Sequence, residues 1–310
     1  MNKLSAYIRL IRPFHWSKNI FVFAALIFAQ QNQLFNLEKI LSTFYAFGCF
    51  CFLSSFAYVI NDIHDVELDR QHPKKKFRPL ACGQIGMGAA WFLVVGLLVL
   101  GLGGSFALNL LLGFVAIAYL LLNLLYSWWL KHHVIVDVMC ISIGFVLRAL
   151  GGVVAIEVPL SPWLLVCTFT LCLFVGFGKR RCELAVTNNN YHLASDRRPV
   201  LERYTLELLG HLLTISAAVA ITTFMLYTMD PQTAEKFGTN YLVYSLPFVF
   251  YGIFRFASLI QTGRFGGPME IFATDHPFQM SIVLWIVSVI VIVHWGPQIQ
   301  DFVRKMAMLY

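Results

Sequence analysis

Long apolar runs separated by short polar stretches dominate the chain, at about 19–35, 41–61, 87–106, 108–129, 134–154, 161–178, 206–228, 241–260 and 279–296. Read as α-helices, runs of this length cross a hydrocarbon layer of about 30 Å. The first is short and ends in the polar stretch Gln30-Gln31-Asn32-Gln33. The third and fourth are divided by a Gly-rich turn at Gly101, Gly103 and Gly104. The pattern predicts an all-α polytopic membrane protein with nine transmembrane helices. It forms a single integral domain over 1–310, with no soluble domain.

Composition supports a lipid solvent. The chain is 58% hydrophobic and only 13% charged, against about a quarter charged in a soluble domain. Its 28 Phe and 7 Trp suit lipid-facing and interfacial positions. Seven cysteines occur without any CxxC pair. They read as small buried hydrophobes rather than a disulfide framework or a zinc site. No cleavage pattern follows the first apolar run, so it reads as a membrane segment rather than a signal peptide.

Charge placement sets an orientation. Seventeen of the 23 Lys and Arg residues fall on one side of the predicted helices, and Lys39, Lys236, Arg304 and Lys305 on the other. The positive-inside rule then puts the N-terminus in the cytoplasm and the C-terminus outside, in a cell (inner) membrane. Two long charged loops, 62–86 and 179–205, are both cytoplasmic on this reading. They suggest two related halves facing one pocket.

The first of these loops carries the clearest chemistry. Asn61, Asp62, Asp65 and Asp69 share one face of a helix at the end of the second run. Three converging carboxylates repel one another unless a cation lies between them. Oxygen ligands alone favour Mg²⁺, which keeps open positions for diphosphate oxygens. Arg70, His72, Lys74, Lys75, Lys76 and Arg78 follow directly. An acidic cluster beside a basic run reads as the two parts of one metal–diphosphate site.

The motif Asn61-Asp62-x-x-Asp65-x-x-x-Asp69, followed by Arg78-Pro79 and Gly83, resembles the first signature of the UbiA prenyltransferase superfamily. Arg12-Pro13-Phe14-His15-Trp16-Ser17-Lys18-Asn19 is similar to that family's opening segment. The resemblance implies a UbiA-like bundle around a central cavity, open to the cytoplasm and laterally to lipid. Most of the superfamily has a second acidic motif after the sixth helix. This chain has Lys179-Arg180-Arg181-Cys182-Glu183-Leu184 there instead. That run is similar to the branch that joins 5-phosphoribosyl diphosphate to a polyprenyl phosphate, as are Tyr126, Lys131, Asp137-Val138, Arg148 and Ser161-Pro162-Trp163.

The swap makes chemical sense, since three phosphoryl groups call for more cations and fewer carboxylates. On this resemblance Asn61, Asp62 and Asp65 hold Mg²⁺, and Asp69 completes the metal shell or orients a ribose hydroxyl. Lys18, Arg70, Lys74 and Arg78 contact the diphosphate, and Lys179, Arg180 and Arg181 a phosphate. Tyr126, Lys131, Asp137 and Glu183 join the substrate site. The implied partners are phosphoribosyl diphosphate, a decaprenyl-like polyprenyl phosphate and the lipid bilayer, with no nucleic acid. An oligomer is compatible with this reading, and the product suits an envelope glycan precursor. Arg148, inside a span, reads as holding the lipid side or locking a neighbouring helix. Arg255 and Glu270 read as structural, and His132, His133, His211 and His294 stay unassigned. One alternative is a prenyltransferase using a polyprenyl diphosphate and an aromatic or polar acceptor. The other is a transporter, which would place its charges at the bilayer midplane instead.

Overall fold

The computed structural model describes residues 3–29, 36–72, 75–186 and 199–307. Every regular element among them is helical. Lys74, Arg197 and Arg198 lie outside the described residues.

A short helix α1 (Lys3–Ile11) opens the chain. Eight helices are long and apolar enough to cross a membrane: α2 (Leu37–His64), α3 (Met87–Leu108), α4 (Leu110–Trp128), α5 (Val136–Ala155), α6 (Pro162–Ala185), α7 (Leu206–Met229), α8 (Tyr241–Gln261) and α9 (His276–Phe302). The expected count of nine is therefore corrected to eight among the described residues. The difference lies in the first apolar run. Pro13–Phe23 winds as a 3₁₀-helix, followed by a four-residue α-helix, Ala24–Ile27. Arg12 enters it in the left-handed conformation, with φ 53°, and Pro13 takes the first helical position. The segment is held from the side instead of by its own length. The Ser55 hydroxyl donates to the Ile11 carbonyl and accepts from Trp16 Nε1, the Asn19 amide meets Cys51, and Phe23 stacks on Phe44 and Phe47. Its partners fall in number as it advances, so it runs antiparallel along α2. At about 2 Å per residue, a 3₁₀ stretch of this size reaches farther than an α-helix of equal length.

A second correction concerns the Gly-rich break. Gly101, Gly103 and Gly104 lie inside α3, where Val99–Gly103 widens into a π-turn. A Cβ on Gly101 would press on Leu53, so the wide turn seats α3 against α2. The chain turns instead at Asn109, which is extended and whose side chain accepts from the Leu111 amide to cap α4.

The described chain forms two compact units. Unit 1 holds residues up to Leu26, Asn36–Trp129 and Gly144–Leu160. Its core joins Phe50, Leu53, Val59, Leu112 and Tyr119. Gly152 lies directly under the Val22 carbonyl, where any side chain would collide, so the first segment needs glycine there. Unit 2 holds 27–35, Leu130–Ile143 and Ser161–Tyr310. There α6 packs chiefly on α7, with one core around Phe174, Leu213, Phe256 and Ile260 and another around Val138, Phe177, Val200, Leu201 and Tyr204. Large apolar side chains such as Phe92, Leu121, Ile215 and Phe254 point outward from the spans, as a lipid solvent requires. The seven cysteines form no disulfides with one another, and Cys82 is exposed rather than buried.

Candidate active site

The acid motif sits where α2 ends. The helix breaks at Asp65 and resumes as Val66–Gln71, and the amides of Asp65 and Asp69 still bond to the carbonyls of Asn61 and Asp65. The winding is nearly continuous, and contacts sort Asn61, Asp62, Asp65 and Asp69 into two pairs. Asp62 and Asp69, each 2% exposed, share Arg78, whose Nη1 lies 3.1 Å from Asp62 and 2.6 Å from Asp69. Arg12 Nη2 donates to both oxygens of Asp62, at 2.6 and 2.9 Å. Asn61 donates to Asp65 at 3.0 Å.

Burying two carboxylates this deeply requires compensating charge. Arg12 and Arg78 supply it, and Arg12 also lies over the Tyr58 ring at 5.1 Å. Among the described residues no three His, Cys, Asp or Glu side chains form a ready metal cluster. The donor chemistry nevertheless fits Mg²⁺, because Asn61, Asp62, Asp65 and Asp69 offer only hard oxygens. Two guanidiniums now satisfy part of that set. A cavity of about 450 Å³ opens beside them, lined by Arg9, Arg12, His15, Asp62, Phe77, Arg78 and Pro79.

Three other expected residues also lie in unit 1. Lys18 is half-buried on the 3₁₀ segment, and Tyr126 is half-buried near the end of α4. Arg70 is exposed and pairs with Glu67 at 2.7 Å. Arg9, Arg12 and His15 belong to the cavity although the motif reading gave them no role. The signal was present: Arg9 lies in the last turn of α1, and Arg12 follows that helix directly and precedes a proline.

Unit 2 holds the basic motif. Arg180, 1% exposed, donates from Nε to Asp137 at 2.6 Å and from Nη1 to Glu183 at 2.7 Å. Asp137 is fully buried and its other oxygen accepts from the Tyr204 hydroxyl at 2.8 Å. That hydroxyl in turn accepts the Ile135 amide at 2.7 Å. Burial, and then the Asp137 carboxylate, hold the Tyr204 phenol above its ordinary pKa, so it stays a proton donor at neutral pH. Lys179, half-buried, reaches Glu183 at 3.8 Å, and Arg181 is half-buried beside it. Lys131 is half-buried in the turn Leu130–His132 that precedes α5. Partial burial, and then Lys131, His133 and Arg203, depress the pKa of His132.

A metal-compatible acid motif at a helix end, with guanidiniums on its carboxylates, and a separate basic motif are thus carried on eight spans. The UbiA prenyltransferase family model matches residues 19–283. The chain belongs to the UbiA prenyltransferase family. Within it, the chain is 33% identical to the decaprenyl-phosphate phosphoribosyltransferase of Corynebacterium glutamicum, over 96% of this chain and 89% of that protein. It is 34% identical to the protein of that name from Mycolicibacterium smegmatis, over 92% and 91%. A solved UbiA homolog from Archaeoglobus fulgidus, bound to GPP and Mg²⁺, has the same fold, with a TM-score of 0.67 over 93% of this chain and 99% of that one at 18% identity.

Proposed function

We propose that this UbiA-family chain is a decaprenyl-phosphate phosphoribosyltransferase. The observation that carries the reading is identity of about one third to enzymes of that name along nearly their whole length. The basic second motif supports it, because a second acidic motif is what a prenyl diphosphate enzyme of the family would bring. A phosphate oxygen of the lipid attacks C1 of the phosphoribosyl group, the bond from C1 to the diphosphate oxygen breaks, and diphosphate leaves. No general base is needed, since a phosphate monoester with a second pKa near 6 is already anionic at neutral pH.

Asn61, Asp62 and Asp65 would hold Mg²⁺, which would neutralise charge on the departing diphosphate. Asp69 completes that set or orients a ribose hydroxyl. Arg12 and Arg78 turn from the carboxylates to diphosphate oxygens, where charge-assisted bonds are strong, and Lys18, Arg70 and Lys74 add to them. Lys179 and Arg181 bind a phosphate, Tyr126 and Lys131 border the substrate, and Asp137 with Glu183 hold Arg180 in register. The positive-inside bias puts α1 and the acid motif in the cytoplasm. Arg12 on Asp62 and Arg9 on Gln84 keep α1 at that end of unit 1. Seven spans follow α2, which leaves the C-terminus outside.

The test is turnover by purified protein in detergent, offered phosphoribosyl diphosphate with decaprenyl phosphate, or a polyprenyl diphosphate, with and without Mg²⁺. The first pair should release diphosphate in a metal-dependent way, and Asp65→Asn should lose at least about 10- to 100-fold. Turnover of the polyprenyl diphosphate alone would overturn the assignment. Undiminished activity of Asp65→Asn at saturating Mg²⁺ would remove the metal role.

A further inference from the structure

Ile135 has φ 69°, a left-handed conformation that a β-branched side chain rarely accepts. It ends the turn that carries Lys131, His132 and His133, immediately before α5. Such a conformation persists only where its surroundings hold it. Three bonds do so here. The Val136 amide bonds back to the Val134 carbonyl, the Asp137 amide to the His133 carbonyl, and the Ile135 amide to the Tyr204 hydroxyl.

The last of these comes from a distant part of the chain. Tyr204 follows the short helix Pro199–Arg203, and with Val200 and Leu201 it is buried against Val138, Phe177 and Leu184. Its hydroxyl is a two-sided bridge: it receives the Ile135 N–H and gives its own proton to Asp137, which grips Arg180. One phenol therefore ties a strained cationic turn to the buried ion pair beneath Lys179 and Arg181. Arg203, the residue before it, joins Lys131 and His133 in the positive field around His132.

We infer that Tyr204 is a positioning residue: its hydroxyl fixes the turn 130–135, and with it Lys131, against the basic motif so that these cations meet a phosphoryl group of the substrate pair. Neither Tyr204 nor Ile135 touches substrate on this account. The inference rests on the phosphoribosyltransferase reading for its substrates, but its geometry does not depend on it.

Tyr204→Phe removes both hydrogen bonds at almost constant shape. KM for phosphoribosyl diphosphate or for the lipid phosphate should rise about tenfold with kcat changed far less, the signature of lost substrate binding. Hydrogen exchange over residues 130–136 should quicken in the same variant, measured on folded protein without substrate. Ile135→Gly adopts positive φ without strain, and Ile135 is 38% exposed, so little packing is lost. The double variant Tyr204→Phe with Ile135→Gly should therefore regain most of the lost KM. Unmoved KM values for both substrates with only a lower melting temperature would reduce Tyr204 to a core residue and overturn the inference. So would unchanged exchange at 130–136, or a double variant no better than Tyr204→Phe. Wild-type protein that turns over no phosphoribosyl diphosphate would refute the assigned reaction, and the exchange measurement would still decide the role of Tyr204.

Discussion

Two arginines are buried among the described residues, and their surroundings are opposite. Arg180, in unit 2, lies against the carboxylates of Asp137 and Glu183. Arg148, in unit 1 and 8% exposed, bonds to neutral groups: Asn19 Oδ1 and the Tyr119 hydroxyl at 2.6 Å and the Gly144 carbonyl at 2.7 Å. Its guanidinium also lies over the rings of Tyr119 and Phe145. A delocalised, weakly hydrated cation can be solvated by dipoles and π-faces in this way. The two solutions do different work. Arg148 cross-links the 3₁₀ segment, α4 and α5, and so anchors a stretch that is not a long α-helix. Arg180 has its charge cancelled locally by two carboxylates, one of which, Glu183, also pairs with Lys179 at 3.8 Å.

The comparison predicts unequal costs. Arg180→Met strands a buried carboxylate and should destabilise by about 3–5 kcal/mol, while pairing it with Asp137→Leu should recover most of that loss. Melting of the purified protein in detergent measures both, and a single variant as stable as wild type would show that Asp137 finds another partner. Arg148→Met strands no charge. Ser54 already bonds to both Asn19 and Tyr119, so those groups keep a partner. The expected loss is about 1–3 kcal/mol, and a cost exceeding that of Arg180→Met would reverse the interpretation of the two sites.

The smallest effect belongs to a third, more open pair. Arg255 donates to Asp275 at 2.8 and 3.2 Å. That hydrogen bond is the main cause holding the Asp275 carboxyl below its ordinary pKa of 3.8. A depressed folded-state pKa contributes stability that is complete above the unfolded value and fades as pH falls through the folded value. Asp275→Asn should therefore cost a little at neutral pH and progressively less in acid below the ordinary carboxylate pKa. Melting curves at several pH values test the sign, and a penalty that grows in acid would refute the pairing. Solvent screening keeps any such term small.

Much of this was legible in the chain. Eight of the nine apolar runs became spans because lipid leaves a helix no alternative for its backbone groups, so length and hydropathy decide. Asn61, Asp62, Asp65 and Asp69 came out along one nearly continuous helix end, as their spacing implied. The neighbours of each charge were not legible. Arg12 lies 50 residues from Asp62, Tyr204 lies 67 from Asp137 and Arg148 lies 129 from Asn19, and no local pattern encodes such pairings. Pro13–Phe23 shows the same limit, since an apolar run reads as a helix of ordinary rise until side contacts with Ser55, Cys51 and Phe44 select a narrower winding. The sequence by itself determined which segments enter lipid and which residues can carry charge-rich chemistry, because solvent and helical period act locally. Only the tertiary structure decided which carboxylate each guanidinium neutralises and which backbone strain is held, because those depend on what packing brings within about 3 Å.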